Sequence, residues 1–132
     1  MKTELDKSKW ANGEWDNEPD FVGGVDDETG YEVYIRRNSS GALCGYVSVP
    51  KGHPAYSVDY NSLPIAVHGG LTYGEQQYGD DKYMFGFDCN HYGDLSPLDL
   101  NVFGYVCGTY RNIEYVKEQV KLLAKQLKAM EV

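Results

Sequence analysis

The sequence predicts an α+β domain: an antiparallel sheet of about four to five strands with a C-terminal amphipathic helix packed on one face. Two patterns carry this reading. Short alternating segments rich in Tyr and Val are separated by Gly, Pro, Asn and Asp, and the last twenty or so residues switch to a helical stripe. Composition agrees, since 12 tyrosines and 15 glycines in 132 residues suit half-buried sheet surfaces and turns. A chain of this length makes one domain, large enough to bury a core without disulfides.

In chain order, residues 1–30 read as an acidic, partly irregular N-terminal arm. They hold nine Asp and Glu against three Lys, lack sustained periodicity, and carry Trp10 and Trp15 as apolar anchors for docking on the body. Residues 31–111 read as mainly β. "YEVYIRRN" alternates, with Tyr31, Val33 and Ile35 on one face and Glu32, Tyr34 and Arg36 on the other; after the "SSG" turn, "ALCGYVSVP" supplies its hairpin partner. "KGHPAYSVDYNSLP" is a connecting loop, because its prolines would interrupt a central strand. "IAVHGGLTY" reads as extended, "GEQQYGDDK" as a polar turn, "YMFGFDC" as a strand, "NHYGDLSPLDL" as a loop and "NVFGYVCGTY" as a short apolar strand.

Residues 112–130 form the helix. Ile113, Val116, Val120, Leu123, Leu127 and Met130 recur at spacings of three and four, Asn112 is placed to cap the N-terminus, and Lys125 and Lys128 fall near the C-terminus. The alternative is a self-associating coiled coil, but the repeat is short for that.

A net charge of −8 argues against nonspecific binding to nucleic-acid backbone, which requires clustered cations. Cys44, Cys89 and Cys107 are odd in number and lack CxxC spacing, so they read as thiols of a reducing compartment. No run is long and apolar enough to span a bilayer, so a soluble, cytoplasmic protein is expected. Walker and dinucleotide glycine patterns are absent, and no cofactor is indicated.

The chemistry-bearing residues gather around two words. If "IAVHGGLTY" and "YMFGFDC" pair with Tyr73 opposite Tyr83, then His68 faces Asp88, Gly70 faces Gly86 and Leu71 faces Phe85. Cys89 falls on the apolar side with Val67, Leu71, Tyr73, Phe85 and Phe87. The other side has little bulk at Gly70 and Gly86, the signature of close approach by a ligand or another backbone. A ligand site is expected there from His68, Gly69, Gly70, Gly86 and Asp88. Asn90, His91 and Tyr92 extend its edge, and His53 and Tyr56 fold over it on the "GHPAY" loop. In an enzyme, His68 oriented by Asp88 would be the general base. His91 and Asp94 are the residues for a metal, although the spacing matches no specific zinc signature. Arg111, and one of Arg36 and Arg37, are candidates for an anionic ligand. "HGG" is similar to the oxyanion-hole word of some esterases, but no GxSxG nucleophile accompanies it.

The words "GYVSVPKGHPAY", "VHGGLTY", "FGFDCNHYGD" and "YVKEQVKLLAKQL", in this order, resemble a group of small uncharacterised bacteriophage proteins. The resemblance covers roughly residues 41–127 and implies a phage origin and a host-cytoplasm setting, with no catalytic residues to carry over. By analogy with the accessory proteins of phages, it points to action against host defences. Three functions follow as expectations. The first is a binder of a small polar, nucleotide-like ligand; the second is a His/Asp hydrolase, metal-assisted or not; the third is an inhibitor whose acidic arm occupies a host protein. Homo-oligomerisation is open.

Overall fold

Five strands form one antiparallel sheet in the order β1-β2-β3-β5-β4: β1 Phe21–Val25, β2 Glu32–Arg37, β3 Leu43–Pro50, β4 Tyr73–Gln77 and β5 Lys82–Asp88. Two helices complete the fold, α1 Pro97–Phe103 and α2 Ile113–Ala129. The structure is a computed structural model and describes residues 5–77, 79 and 81–131. Met1 to Glu4 of the acidic arm, Tyr78 and Asp80 of the polar turn, and Val132 lie outside the described residues.

The helix forms as its spacing predicts. The Asn112 side chain accepts the Tyr115 N–H, and Val116, Val120, Leu123, Ala124 and Leu127 are buried. They pack on Ile35, Leu43, Val47, Val49, Phe85 and Phe87 of the sheet. Each large apolar side chain buried there contributes on the order of 1.5–3 kcal/mol. Gly45 lets the layers approach, because a Cβ there would lie 2.6 Å from Val120 Cγ2 and from the Phe87 ring. The helix covers one face of the sheet, and among the described residues α2 is the helix packed on it.

Three expectations are corrected. The N-terminal arm contains β1, paired with β2 from Phe21↔Arg36 to Val25↔Glu32, and two of its acids, Glu18 and Asp20, are used internally. Arg37, 1% exposed, donates to Asp20, Glu18, Tyr110 and two backbone carbonyls, while Glu18 also accepts the Ile113 N–H at the start of α2. Burial alone would lower the Arg37 pKa, but these partners hold it above its ordinary value. Trp15 does dock, at 5% exposure against the Tyr110 ring.

The apolar strand expected at residues 101–110 is absent. Ser96 caps α1, Pro97 opens it, and Gly104 closes it in the left-handed conformation, the ordinary punctuation of a short helix.

The 65–73 hairpin arm is also displaced. Tyr73 pairs with Gly86 and Gly74 with Phe85, so Tyr73 lies on the open face. Residues 65–72 run as a loop beside α2, where Gln126 bonds the backbone of Ala66 at both ends and Gln119 accepts the His68 N–H. Those side-chain amides replace the partner a strand would have supplied.

Candidate functional site

Two regions hold the chemistry, and the first is the junction where the 65–72 loop, the 88–95 loop and α2 meet. Gly69 and Gly70 both have positive φ, 69° and 79°, which turns the loop so that His68 points at the 88–95 segment. A Cβ on Gly69 would lie 2.4 Å from His91 Nε2, so glycine also lets that ring pack against the turn.

Asp94 is the centre of this junction. Its side chain, 2% exposed, lies 2.8 Å from His68 Nε2 and 2.9 Å from Arg111 Nε, and it accepts the His91 backbone N–H at 3.0 Å. Burial alone would raise its pKa, but these three donors outweigh burial and hold the carboxyl below its ordinary value. The other nitrogen of His68, Nδ1, is 2.7 Å from the Tyr115 hydroxyl. Arg111 sits over the Tyr115 ring, 5.1 Å from its centroid. An ionised carboxylate can only accept, so His68 Nε2 is its donor, and Nδ1 is taken by Tyr115 whichever of the two supplies the proton. Both nitrogens are occupied.

His68, Asp88, His91 and Asp94 therefore do converge, with their pairing exchanged. His68 meets Asp94 rather than Asp88; the His68 and His91 ring centroids are 6.1 Å apart, and His91 Nε2 is 2.9 Å from Asp88 Oδ1. That last approach is close but does not form a directional hydrogen bond. Asp88 also receives Thr72 Oγ1 and the Asn90 N–H.

The His91 ring meets Asp88, while the Asp94 carboxylate meets His68 and Arg111. Among the described residues, no group of three or more His, Cys, Asp or Glu is arranged to hold a metal. Asn90 is exposed and Tyr92 fully so.

The remaining expected residues sit elsewhere. His53 is buried at the far end of α2, with Nε2 donating to Leu127 O at 2.7 Å and Nδ1 accepting the Ala55 N–H at 2.9 Å. Tyr115 and Leu127 are separated by about 18 Å of helix rise. Tyr56 accepts from Gln76 and packs edge-on to Tyr83. Neither lies over His68. Cys89 is 2% exposed as the alternation predicts, and burial first, then Asp94, pushes its thiol pKa up.

The expected bare floor at Gly86 is filled. A Cβ there would lie 2.4 Å from the Tyr46 ring, so an aromatic from the neighbouring strand occupies the space a ligand was expected to take.

That ring belongs to the second region, the sheet face away from α2. The registers align Gly23, Tyr34, Tyr46, Gly86 and Tyr73 in one row across all five strands. Tyr46 lies over Gly86, and Tyr73 stands nearly perpendicular to it, at 84° with centroids 5.5 Å apart. The two half-buried rings make a perpendicular corner.

Burial raises the pKa of both phenols, helped at Tyr46 by Cys44 and at Tyr73 by Glu75, so both hydroxyls are neutral donors at physiological pH. In the adjacent row, Arg36 is exposed and makes no salt bridge among the described residues, while Cys44 beside it is buried with its thiol pushed up to about 11, chiefly by burial. The row required strand registers, but Tyr34 and Arg36 on the face opposite Ile35 were legible from alternation.

No protein-family model matches the chain, and neither a curated protein nor a solved structure is similar enough to count as a match. Among the described residues, no helix is long and apolar enough to cross a membrane.

Proposed function

We propose that the chain is a noncatalytic binding protein that captures a small, planar, anionic ligand of nucleotide-like chemistry on the open face of its sheet, as a phage accessory protein acting against host defences. The observation that carries this reading is the single-register tyrosine row. A base has a π-face for the Tyr46–Tyr73 corner, stacking on aromatics tolerates different bases, and a guanidinium without a carboxylate partner is free for phosphate. Glycines in the same row keep competing side chains out of it.

The hydrolytic alternative has less support, because Asp94 and Tyr115 hold both nitrogens of His68 and a substrate would have to displace the Tyr115 hydroxyl to reach Nδ1. The acidic-arm inhibitor would draw on the exposed Asp6, Glu14, Asp16, Asp27 and Glu28, since Glu18 and Asp20 are bonded to Arg37. Native mass spectrometry of protein purified from infected cells, followed by denaturation, tests the reading. A stoichiometric small-molecule adduct released chemically intact is expected. A cleaved product, or no adduct under conditions where the intact protein is observed, would overturn it.

A further inference from the structure

β1 is one of the two sheet edges, and no described strand pairs with its outer side. Its flanking bonds identify the backbone groups left over. Arg37 N–H donates to Asp20 O at one end (2.9 Å) and Asp26 N–H to Tyr31 O at the other (2.8 Å). Antiparallel pairs alternate between hydrogen-bonded and non-bonded positions. Continuing the register between these ends, residues 20, 22, 24 and 26 turn their polar groups towards β2. Phe21, Gly23 and Val25 turn theirs outward.

Such an edge is ordinarily guarded by lysine, proline, a bulge or a covering segment. "FVGGV" has no guarding residue and pairs without a bulge, and its Phe21 and Val25 are 50% and 62% exposed.

We infer that this edge pairs with the same edge of a second copy, antiparallel about a two-fold axis at Gly23, so that one sheet runs through the dimer. The strand is self-complementary in that register. Phe21 stands opposite the partner's Val25, and cross-strand partners share a face, so each exposed apolar group covers the other. Gly23 meets the partner's Gly23 at the axis. On the helix side, Val22 stands opposite the partner's Gly24, where space is open: a Cβ added to Gly24 meets nothing within 4 Å. A groove of about 370 Å³ between β1 and α2 adjoins that position.

At each end, the partner's Asp26 comes beside Asp20, whose carboxylate is 2.7 Å from Lys7 Nζ; the ammonium offsets the like charges. Because Gly23 belongs to the tyrosine row, the two rows become one symmetric lane.

The test combines light scattering with NMR amide exchange on the full chain across a concentration series. The expected mass doubles with concentration. Amides of Phe21, Gly23 and Val25 gain protection as it does so, whereas those of Val22 and Gly24, bonded to β2, are protected throughout. The double substitution Phe21→Lys/Val25→Lys sets like charges opposite one another and abolishes the dimer, even though it reduces the overall negative charge. Val102→Lys, at another exposed apolar site, leaves the dimer intact. A monomer at every concentration, or a dimer whose concentration-dependent protection lies outside β1, overturns the inference. If the double variant fails to fold, the wild-type exchange pattern decides.

Discussion

The junction around Asp94 and the tyrosine row differ in what their groups have left to offer. At the junction a buried carboxylate, two imidazoles, a guanidinium and a phenol crowd together, yet Asp94 has three donors and His68 has both nitrogens engaged, which leaves His91 Nε2 as the buried side-chain nitrogen without a hydrogen bond among the described residues. In the row the groups are fewer, but Tyr46 and Tyr73 form a perpendicular corner and Arg36 is exposed without a salt bridge among the described residues. Crowded polar chemistry inside a fold is often a fastener, since unsatisfied buried groups are costly. What separates a fastener from a site is unspent bonding capacity. By that measure, the junction ties two loops to α2 and the open face is where a ligand has something to bind.

The largest effect that would sharpen this contrast is at Asp94. Asp94→Ala removes one carboxylate from beneath two basic side chains and a buried N–H, so a loss of about 3–5 kcal/mol in unfolding free energy is expected by denaturant titration. Ligand binding by the folded fraction should survive. Gly86→Ala comes next. The new Cβ must displace the Tyr46 ring, so a loss of about 1–3 kcal/mol is expected, together with weakened binding because the corner is deformed. A structural effect without a binding effect would break the comparison.

Acid provides a third test. The Asp94 pKa is lowered on folding, so its contribution is fully present above the unfolded carboxyl value of about 3.9 and is lost as pH falls through the lower folded value. The acid limb of a stability–pH profile should therefore flatten in Asp94→Asn. The smallest effect is expected at His91→Gln, where a partly exposed contact with Asp88 is worth under about 1 kcal/mol.

The parts of this fold legible in sequence are those governed by local rules. Helix α2 and its Asn112 cap follow from spacing and side-chain chemistry, and the buried faces of β2, β3 and β5 follow from alternation. β1 was hidden because two glycines inside an acidic stretch have little strand propensity of their own, and only pairing with β2 makes them extended. The signals for α1 were present in "SPLD" and the following Gly104, but the apolar run after them read more strongly as a strand.

The displaced 65–72 loop depends on Gln119 and Gln126, some fifty to sixty residues downstream, so no local pattern encodes it. His68, Asp88, His91, Asp94 and Arg111 were legible as candidates, whereas Tyr115 and the pairing were not, because His68 lies on a loop outside the sheet register and meets Asp94, six residues beyond Asp88. The tyrosine row likewise needs four correct registers at once.

The most direct test of the contrast compares ligand retention in two variants by native mass spectrometry of protein isolated from infected cells. Tyr46→Ala/Tyr73→Ala should lose the adduct, with stacking worth about 1–3 kcal/mol per ring, while His68→Gln keeps it. An adduct that survives loss of the tyrosines and disappears with His68 would contradict the account.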